Sequence, residues 1–375
     1  MDSLLPNFLF RSSNILALDI GSRYIKVMQL DQSDGMPTLC GTAIGPVPPR
    51  TIENGVIMNK PAVASAIRRL LESSKINGSQ VYLAAGGPNL ILRWIEMPAM
   101  AEEDLLEAIK FEARKYLPFP VEHAVLDCQI LNKKNNNTDE RLRVLLIAAP
   151  RTLVDSRYET VELAGLKPMG MDVEPLAVLR ALEHNSSRAE LAWGGHPQAV
   201  LVFGSAGTDF YVAKDANLEF ARRIPIGGRT LVDIIAKHSG QNLDIMDERE
   251  ILLHLSFDSD GKLQVEGASE ELMQALESEI GRLDQEIKRS CSYYQSLFPE
   301  GSYEGVLTQV VASGGLVAME GFHTHLAVEL DLPVEVADPL SRITMRSIPN
   351  ADELLNGRRS SFIVSAGLLL GQVNL

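Results

Sequence analysis

The sequence predicts an α/β protein built from two similar lobes, and three observations carry that prediction. Buried-looking strand runs alternate with helical runs along most of the chain. A design of strand, glycine turn and strand near the start recurs near residue 200. Between the two copies lies a stretch with a helix and strands of its own.

Taken in order, NILALDIGSRYIKVMQLD divides into two β-rich runs, Ile15 to Asp19 and Tyr24 to Leu30, joined as a hairpin through Gly21 and Ser22. TLCGTAIGPVPP is another extended run, closed by prolines. In PAVASAIRRLLESSK the apolar residues Val63, Ile67, Leu70 and Leu71 recur at helical spacing, and Gln80 to Ala85 follows as a buried strand. Three strands, a helix and a further strand make the first half of a mixed α/β layer.

From Leu92 to Asp172 the pattern becomes an autonomous α+β module. It reads as strand RWIEM, a helix from Ala101 to Tyr116, strands around Val125 to Leu131 and over LRVLLIAAP, the helix RTLVDSRYETVELAG, and strand PMGMDV. The first of these helices places Leu105, Ile109, Ala113 and Tyr116 on one stripe, which predicts a face packed on a sheet. KKNNNTDER reads as a solvated hairpin loop. EPLAVLRALE then reads as a helix, and SSRAELAWGGHP as a hinge between lobes.

AVLVFGSAGTDFYVAKDANLEFARRIPIGG repeats the N-terminal design as buried strand, glycine turn, strand, turn, strand. From Arg229 to Phe298 the reading is mostly helical, ending in a helix with apolar residues at Leu272, Leu276, Ile280, Leu283, Ile287, Cys291, Tyr294 and Phe298. That spacing suits one long packed helix, with a coiled-coil dimer as the alternative. LTQVVASGG is a strand ending in a glycine pair, a helix runs through His325, VEVADP is a strand, and FIVSAGLLLG is a helix rich in small residues.

Composition narrows the function. With 375 residues, 45% of them hydrophobic, the chain can bury a large core and form more than one domain. A net charge of -14 argues against a sequence-independent grip on nucleic acid, which needs Lys and Arg to displace counterions. Cys40, Cys128 and Cys291 fit neither a disulfide framework nor a CxxC metal site. The opening MDSLLPNFLF is short for a signal-peptide core, and no apolar run approaches the roughly 20 residues of a spanning helix, so membrane association is expected only through partners. No P-loop, dinucleotide GxGxxG, HExxH or GxSxG motif occurs. His323 and His325, two apart on a helix, point to different faces and do not make a metal site.

What remains is a set of glycine turns between short strands: Gly21 with Ser22, Gly204 and Ser205 with Gly207 and Thr208, Gly227 with Gly228, and Gly314 with Gly315. Turns without a Cβ let backbone N–H groups converge on a phosphate. Asp19 ends the buried-looking strand ILALD, where an ionised carboxylate needs a partner; hydrated Mg²⁺ beside a nucleotide phosphate would be one, and an Asp turn bonding its own backbone is the other reading. Lys26 leaves the same turn, either toward the phosphates or into solvent.

Together these motifs resemble the actin, heat-shock-chaperone and sugar-kinase superfamily, which implies an actin-like (ribonuclease H-like) two-lobed fold. ALDIGSRYIKV resembles its first phosphate motif, DVEPLAVLRAL its first connecting helix, VLVFGSAGTDFYV its second phosphate motif, VVASGGLVAMEGF its adenosine motif and SAGLLLG its second connecting helix. The module resembles the subdomain that FtsA and PilM proteins insert in the first lobe. MPAMAEEDLLEAIKFEARKYLPFP, RRIPIGGRTLVDIIA and LDLPVEVADP resemble the PilM family of type IV pilus assembly proteins in particular. The resemblance implies subdomain 1A over 1–91, 173–193 and 346–375, inserted subdomain 1C over 92–172, subdomain 2A over 194–228 and 299–345, and subdomain 2B over 229–298.

It further implies ATP and Mg²⁺ as cofactors, Glu174 in the place of the carboxylate that aligns the attacking water, and Asp19 as the residue that holds Mg²⁺ through water. In QEIKRSCSYY it nominates Lys288, Arg289 and Ser292 beside the nucleoside, with a solvated helix face as the alternative. The implied role is a cytoplasmic scaffold, peripheral to the inner membrane, that binds the N-terminal peptide of PilN and works with other pilus platform proteins and motor ATPases in pilus biogenesis and twitching motility. The sequence departs from the superfamily at Phe203, where the pattern has an Asp opening the second phosphate motif, so hydrolysis is expected to be slow or absent. The alternatives are an FtsA-like filament protein, which would add a C-terminal amphipathic helix not found after GQVNL, a small-molecule kinase, for which no sugar-binding signature is present, and the cytoplasmic part of a type II secretion protein.

Overall fold

The computed structural model describes residues 15–31, 38–136, 139–185, 195–240, 247–346, 348 and 354–372. In the first lobe β1 (Ile15–Ile20), β2 (Tyr24–Asp31) and β3 (Thr38–Pro46) form an antiparallel meander. A short hairpin of β4 (Ile52–Glu53) and β5 (Val56–Ile57) leads into α1 (Lys60–Ser73). The Asn59 side chain caps α1 by accepting from the Ala62 amide at 3.1 Å. The helix is a crossover, after which β6 (Gln80–Ala85) returns parallel to β1. Its apolar stripe, Val63, Ala64, Ile67 and Leu71, packs on Leu16, Leu18, Ile20 and Val27 of the sheet.

The inserted module consists of β7 (Ile91–Pro98), α2 (Glu102–Ala113), β8 (Ala124–Asn136) and β9 (Asp139–Pro150), with the antiparallel strands in the order β7-β9-β8. Leu105, Ile109 and Ala113 of α2 pack on Ile95, Met97, Leu142, Val144 and Leu146, as the stripe predicts. Two features differ from the sequence reading. The KKNNNTDER stretch is mostly strand, because β8 and β9 stay paired out to Asn136 and Asp139. The helix and strand after Pro150 leave the module altogether. There α3 (Arg151–Leu163) packs beside α1, and β10 (Lys167–Val173) adds to β6 as a parallel edge strand of the first sheet. The Lys167 amide donates to Ser79 O at 2.6 Å, and long-range pairing of this kind leaves no local signal to read. The first sheet runs β10-β6-β1-β2-β3-β18, its last strand being β18 (Thr344–Met345).

After α4 (Glu174–Asn185) the chain enters the second lobe. Residues 186–194 of the expected hinge lie outside the described residues. β11 (Gln198–Phe203), β12 (Thr208–Lys214) and β13 (Asn217–Ile224) repeat the meander, and β16 (Val310–Gly314) and β17 (Val334–Val336) extend it in the order β13-β12-β11-β16-β17. Between β13 and β16 lie α5 (Gly228–Ser239), α6 (Glu248–Leu252), a small hairpin of β14 (Leu255–Phe257) and β15 (Leu263–Val265), and α7 (Glu270–Gln295). The hairpin interrupts what reads from sequence as a mostly helical segment. Leu276, Ile280, Leu283, Ile287 and Tyr294 of α7 are buried within the lobe, so the long helix packs on its own lobe. α8 (Phe322–Leu330) keeps His323 exposed and buries His325, whose ring nitrogens meet Gly261 O at 2.7 Å and Asp284 Oδ2 at 3.0 Å.

The lobes share a core. α9 (Ile363–Leu370), buried on every side, lies against α4, and Ala177, Val178, Ala181, Phe362, Ala366 and Leu369 fill the space between Ala17 and Met28 of one sheet and Val200, Tyr211 and Ala213 of the other. The inserted module also reaches the second lobe. Trp94 Nε1 donates to Leu218 O at 2.7 Å, and Arg143 grips Glu219 through both guanidinium NH₂ groups at 3.1 and 2.6 Å.

Candidate nucleotide cleft

Two hairpin turns face each other across a cleft of about 640 Å³ between the lobes. In the first, Ile20 pairs with Ile25 and Asp19 with Lys26, and the Gly21 amide donates to Tyr24 O at 3.0 Å. In the second, Phe203 pairs with Thr208 and Val202 with Asp209, and the Gly204 amide donates to Gly207 O at 3.0 Å. The turns therefore match with Gly21 on Gly204, Asp19 on Val202 and Lys26 on Asp209. Strand alternation assigns the faces. Asp19 shares its face with Ala17 of the interlobe core, whereas Ile20 lies with Leu16 and Leu18 on the α1 side. Val202 lies with Val200 facing the interlobe core, and Phe203 lies with Ala199 and Leu201 in the second lobe's own core.

This register corrects the reading of Phe203. Its ring is 1% exposed and meets Phe322 edge-on with centroids 5.2 Å apart, so an acid at 203 would point into apolar packing. The cleft-facing equivalent of Asp19 is Val202, which carries no carboxylate either.

One end of the cleft is charged. Lys26 Nζ is 2.9 Å from Asp19 Oδ2. Arg157, on α3 and buried, donates to Ile20 O at 3.0 Å and Gly55 O at 3.2 Å. Arg223 Nη1 donates to Asp209 Oδ2 at 2.6 Å. Glu174 opens α4 against Gly86, where any Cβ would collide with its carboxylate. Burial, then the charges of Asp19 and Asp209, raise the Glu174 carboxyl to about 7 against the opposing pull of Arg157 and Arg223. Burial likewise pushes Asp209 up while Arg223 holds it down, and burial lowers the Arg157 guanidinium. Elsewhere the lining includes the small and apolar residues Gly314, Gly315, Ala318, Ile363 and Val364, with Arg358 and Ser361 beside them in the chain. Cleft-lining side chains are also tied to their neighbours: Tyr24 donates to Asp247, which caps α6; Ser205 Oγ donates to Glu248 Oε2 at 2.6 Å; and Arg249 Nη2 donates to Asn356 O at 3.0 Å.

Of the residues singled out from sequence, Asp19, Gly21, Ser22, Lys26, Glu174, Gly204, Ser205, Gly207, Gly314 and Gly315 all line the cleft. Thr208, Gly227 and Gly228 stand behind the turn. Thr208 is buried with its hydroxyl on Ile226 O at 2.8 Å, and the Gly228 amide is spent on Gly204 O at 3.0 Å. A Cβ on Gly227 would come within 2.6 Å of the Gly207 nitrogen and Ser205 oxygen, so this residue is glycine to let the chain brace the turn. Lys288, Arg289 and Ser292 lie away from the cleft. Lys288 pairs with Glu329 at 2.6 Å and Arg289 with Glu286, because the apolar stripe of α7 turns them to the opposite face. Sequence reading missed Arg157, Asp209 and Arg223. Counting outward from the glycine turn by alternation finds Asp209; the two arginines are brought in by long-range packing. Among the described residues no three His, Cys, Asp or Glu side chains converge as a metal cage.

A family model described as type IV pilus assembly protein PilM matches residues 17–373. The chain belongs to the PilM family. A solved structure described as a PilM-PilN type IV pilus biogenesis complex superimposes with a TM-score of 0.82 at 24% identity, covering 98% of this chain and 100% of that one. The ethanolamine utilization protein EutJ of Carboxydothermus hydrogenoformans gives a TM-score of 0.53 at 15% identity, covering 95% of this chain and 88% of its own. These likenesses establish the actin-like two-lobed fold for this PilM-family member. The cell division protein FtsA of Streptococcus pneumoniae is 22% identical over 249 residues, 60% of this chain, and the match spans about half of that relative, 53%. Among the described residues no helix is long and apolar enough to cross a membrane.

Proposed function

We propose that this PilM-family chain is an ATP-binding scaffold of the type IV pilus machinery that turns over nucleotide slowly or not at all. The observation that carries the reading is the pair of glycine turns facing each other across a cleft that is charged at one end and includes small and apolar lining elsewhere. Adenine suits the lining at Gly314, Gly315 and Val364, and the turn tips Ser22–Arg23 and Ser205–Ala206 offer backbone amides to the phosphates. Mg²⁺ would supply charge neutralisation on the phosphates, with Asp19 as its water-mediated contact. Glu174 is the carboxylate placed to orient a water. With its pKa raised to about 7 it is a proton acceptor only in part at neutral pH, and Val202 leaves the second hairpin without a matching acid, which supports slow hydrolysis.

The partner reading rests on the likeness to the PilM-PilN complex. The N-terminal segment of a PilN-type membrane protein would dock on the inserted module, whose outer strand β8 is an open sheet edge and whose α2 exposes Leu106 and Phe111. On this reading the chain works on the cytoplasmic side, peripheral to the inner membrane, with other platform proteins and motor ATPases as its further partners. The test is calorimetric titration with ATP and Mg²⁺, with and without a PilN N-terminal peptide, while phosphate release is followed. Tight binding, little release and a peptide complex are expected. An ATP-blind protein overturns the cofactor assignment, and rapid peptide-independent turnover overturns the scaffold.

A further inference from the structure

Taking the nucleotide reading as its premise, we infer that Arg223 is the residue by which this cleft tells a nucleoside triphosphate from a diphosphate: its guanidinium, held on Asp209, turns to the terminal phosphate of a bound ligand.

The order of strands in the second sheet carries the argument. Read across the sheet, the cleft is lined by Gly314 and Gly315 at and just past the end of β16, Val202 on β11 with Gly204 just after it, Asp209 on β12 with Gly207 just before it, and Arg223 on β13 with Pro225 just after it. Three strand steps separate the first group from the last, about 14 Å at ordinary strand spacing. Over that span the residues that the sheet contributes to the lining change from small and apolar to charged. A ligand with an apolar base and a phosphate tail is therefore laid along the row, base at β16 and tail toward β13. The β11–β12 turn meets the phosphates nearest the base, and the last phosphate lies toward Arg223. A diphosphate stops one group short.

The far end needs a cation. Asp19, Glu174 and Asp209 all face it, so an added phosphate would meet three acids. Lys26 sits on the first lobe against Asp19, and Arg157 is buried with Nη1 on Ile20 O and Nη2 on Gly55 O. Arg223 is placed differently. Its side chain keeps 23% of its surface, it uses Nη1 on Asp209 Oδ2 at 2.6 Å, and Nη2 lies beside the turn itself, 3.2 Å from where a Cβ on Gly207 would stand. A planar fork of donors at the rim of a phosphate-binding turn matches a terminal phosphate, whose oxygens can replace one carboxylate oxygen with little movement of the side chain.

The experiment is calorimetric titration of the full chain and of Arg223→Gln, Arg223→Lys and Asp209→Asn with ATP and with ADP, each variant's fold checked by circular dichroism. The full chain should prefer ATP, and Arg223→Gln should weaken ATP by about tenfold or more, as for loss of a charge-assisted contact, while changing ADP less than about twofold. Asp209→Asn, which frees the guanidinium, should keep the preference. Should Arg223→Gln misfold, the reading is taken from Arg223→Lys, which keeps the charge without the fork and should lower the ATP preference. Equal losses for ATP and ADP, or an unchanged ratio, would reduce Arg223 to a structural partner of Asp209 and overturn the inference. A full chain that binds neither nucleotide removes the nucleotide reading and this inference with it, an outcome distinct from binding without discrimination.

Discussion

The two hairpins that line the cleft share a backbone and differ in what they carry. Each closes through a glycine amide bonded across the turn, and each places the residue two before its glycine in the cleft. The first hairpin has Asp19 and Lys26 at the paired positions, an ion pair complete in itself. The second has Val202 and Asp209, and its cation arrives from a third strand as Arg223. The first turn is held by the Arg157 guanidinium on Ile20 O and the Val47 amide on Arg23 O, whereas the second is braced from behind by the Gly228 and Arg229 amides on Gly204 O and Ser205 O. Equivalent backbones thus leave chemistry to two side-chain positions, and a shift of one residue exchanges cleft for core.

The strongest way to break this register is to place an acid on either side of it. Phe203→Asp should lower stability by about 4 kcal/mol or more, combining loss of a buried ring with an unpaired buried charge, whereas Val202→Asp should cost about 1 kcal/mol or less because it faces the cleft. Urea unfolding midpoints decide between them, and the opposite ranking would void the register. If the missing carboxylate limits turnover, Val202→Asp should also speed phosphate release.

The asymmetry of bracing comes next. Gly227→Ala should destabilise by about 2 to 3 kcal/mol through collision with the Gly204–Gly207 turn, and Gly21→Ala, whose Cβ meets Tyr24 O at 3.2 Å, by about 1 kcal/mol. Similar losses in thermal melts would mean that the second turn needs no brace.

The acids that the hairpins and α4 bring together predict a pH effect. Because the native Glu174 pKa is raised from 4.5 to about 7, the folded state holds a proton that the unfolded chain has released. This contribution to stability therefore falls as pH rises between those values and stays low above them. Glu174→Gln should remove that fall, so the stability difference between the two proteins should change across this window and level off outside it. A constant difference from pH 4 to 8 would show that Glu174 titrates normally.

The smallest effect should come from the contact of the inserted module with β13. Arg143→Ala, which leaves Glu219 partly solvated, should cost about 1 kcal/mol or less and leave both turns intact. A loss of ATP affinity of more than about threefold, read by calorimetry, would show that the module and the second hairpin communicate.

Most of the strands, both connecting helices and ten of the proposed cleft residues were legible in the chain because their signals are local. Alternation marks Ile15–Ile20 and Gln198–Phe203 as strands, and glycine marks the turns. Lys288, Arg289 and Ser292 were misplaced because a helix with polar residues on several sides does not announce which polar side faces a ligand; burial of Leu276, Ile280, Leu283 and Ile287 chooses it. The far boundary of the inserted module was misread because PMGMDV reads locally as a strand, but the sheet it joins is set by its partner β6, more than eighty residues earlier.

By itself the sequence determined two hairpins with glycine turns, a helix–strand module between them and two small-residue helices, since periodicity, turn chemistry and propensity act over a few residues. The tertiary structure decided which of those residues meet. Packing α4 and α9 between the two sheets closes the turns on one another and brings Glu174, Arg157, Asp209 and Arg223 to one end of one cleft. That convergence depends on the burial of apolar faces far apart in the chain, and it alone gathers four separated charges into a candidate site.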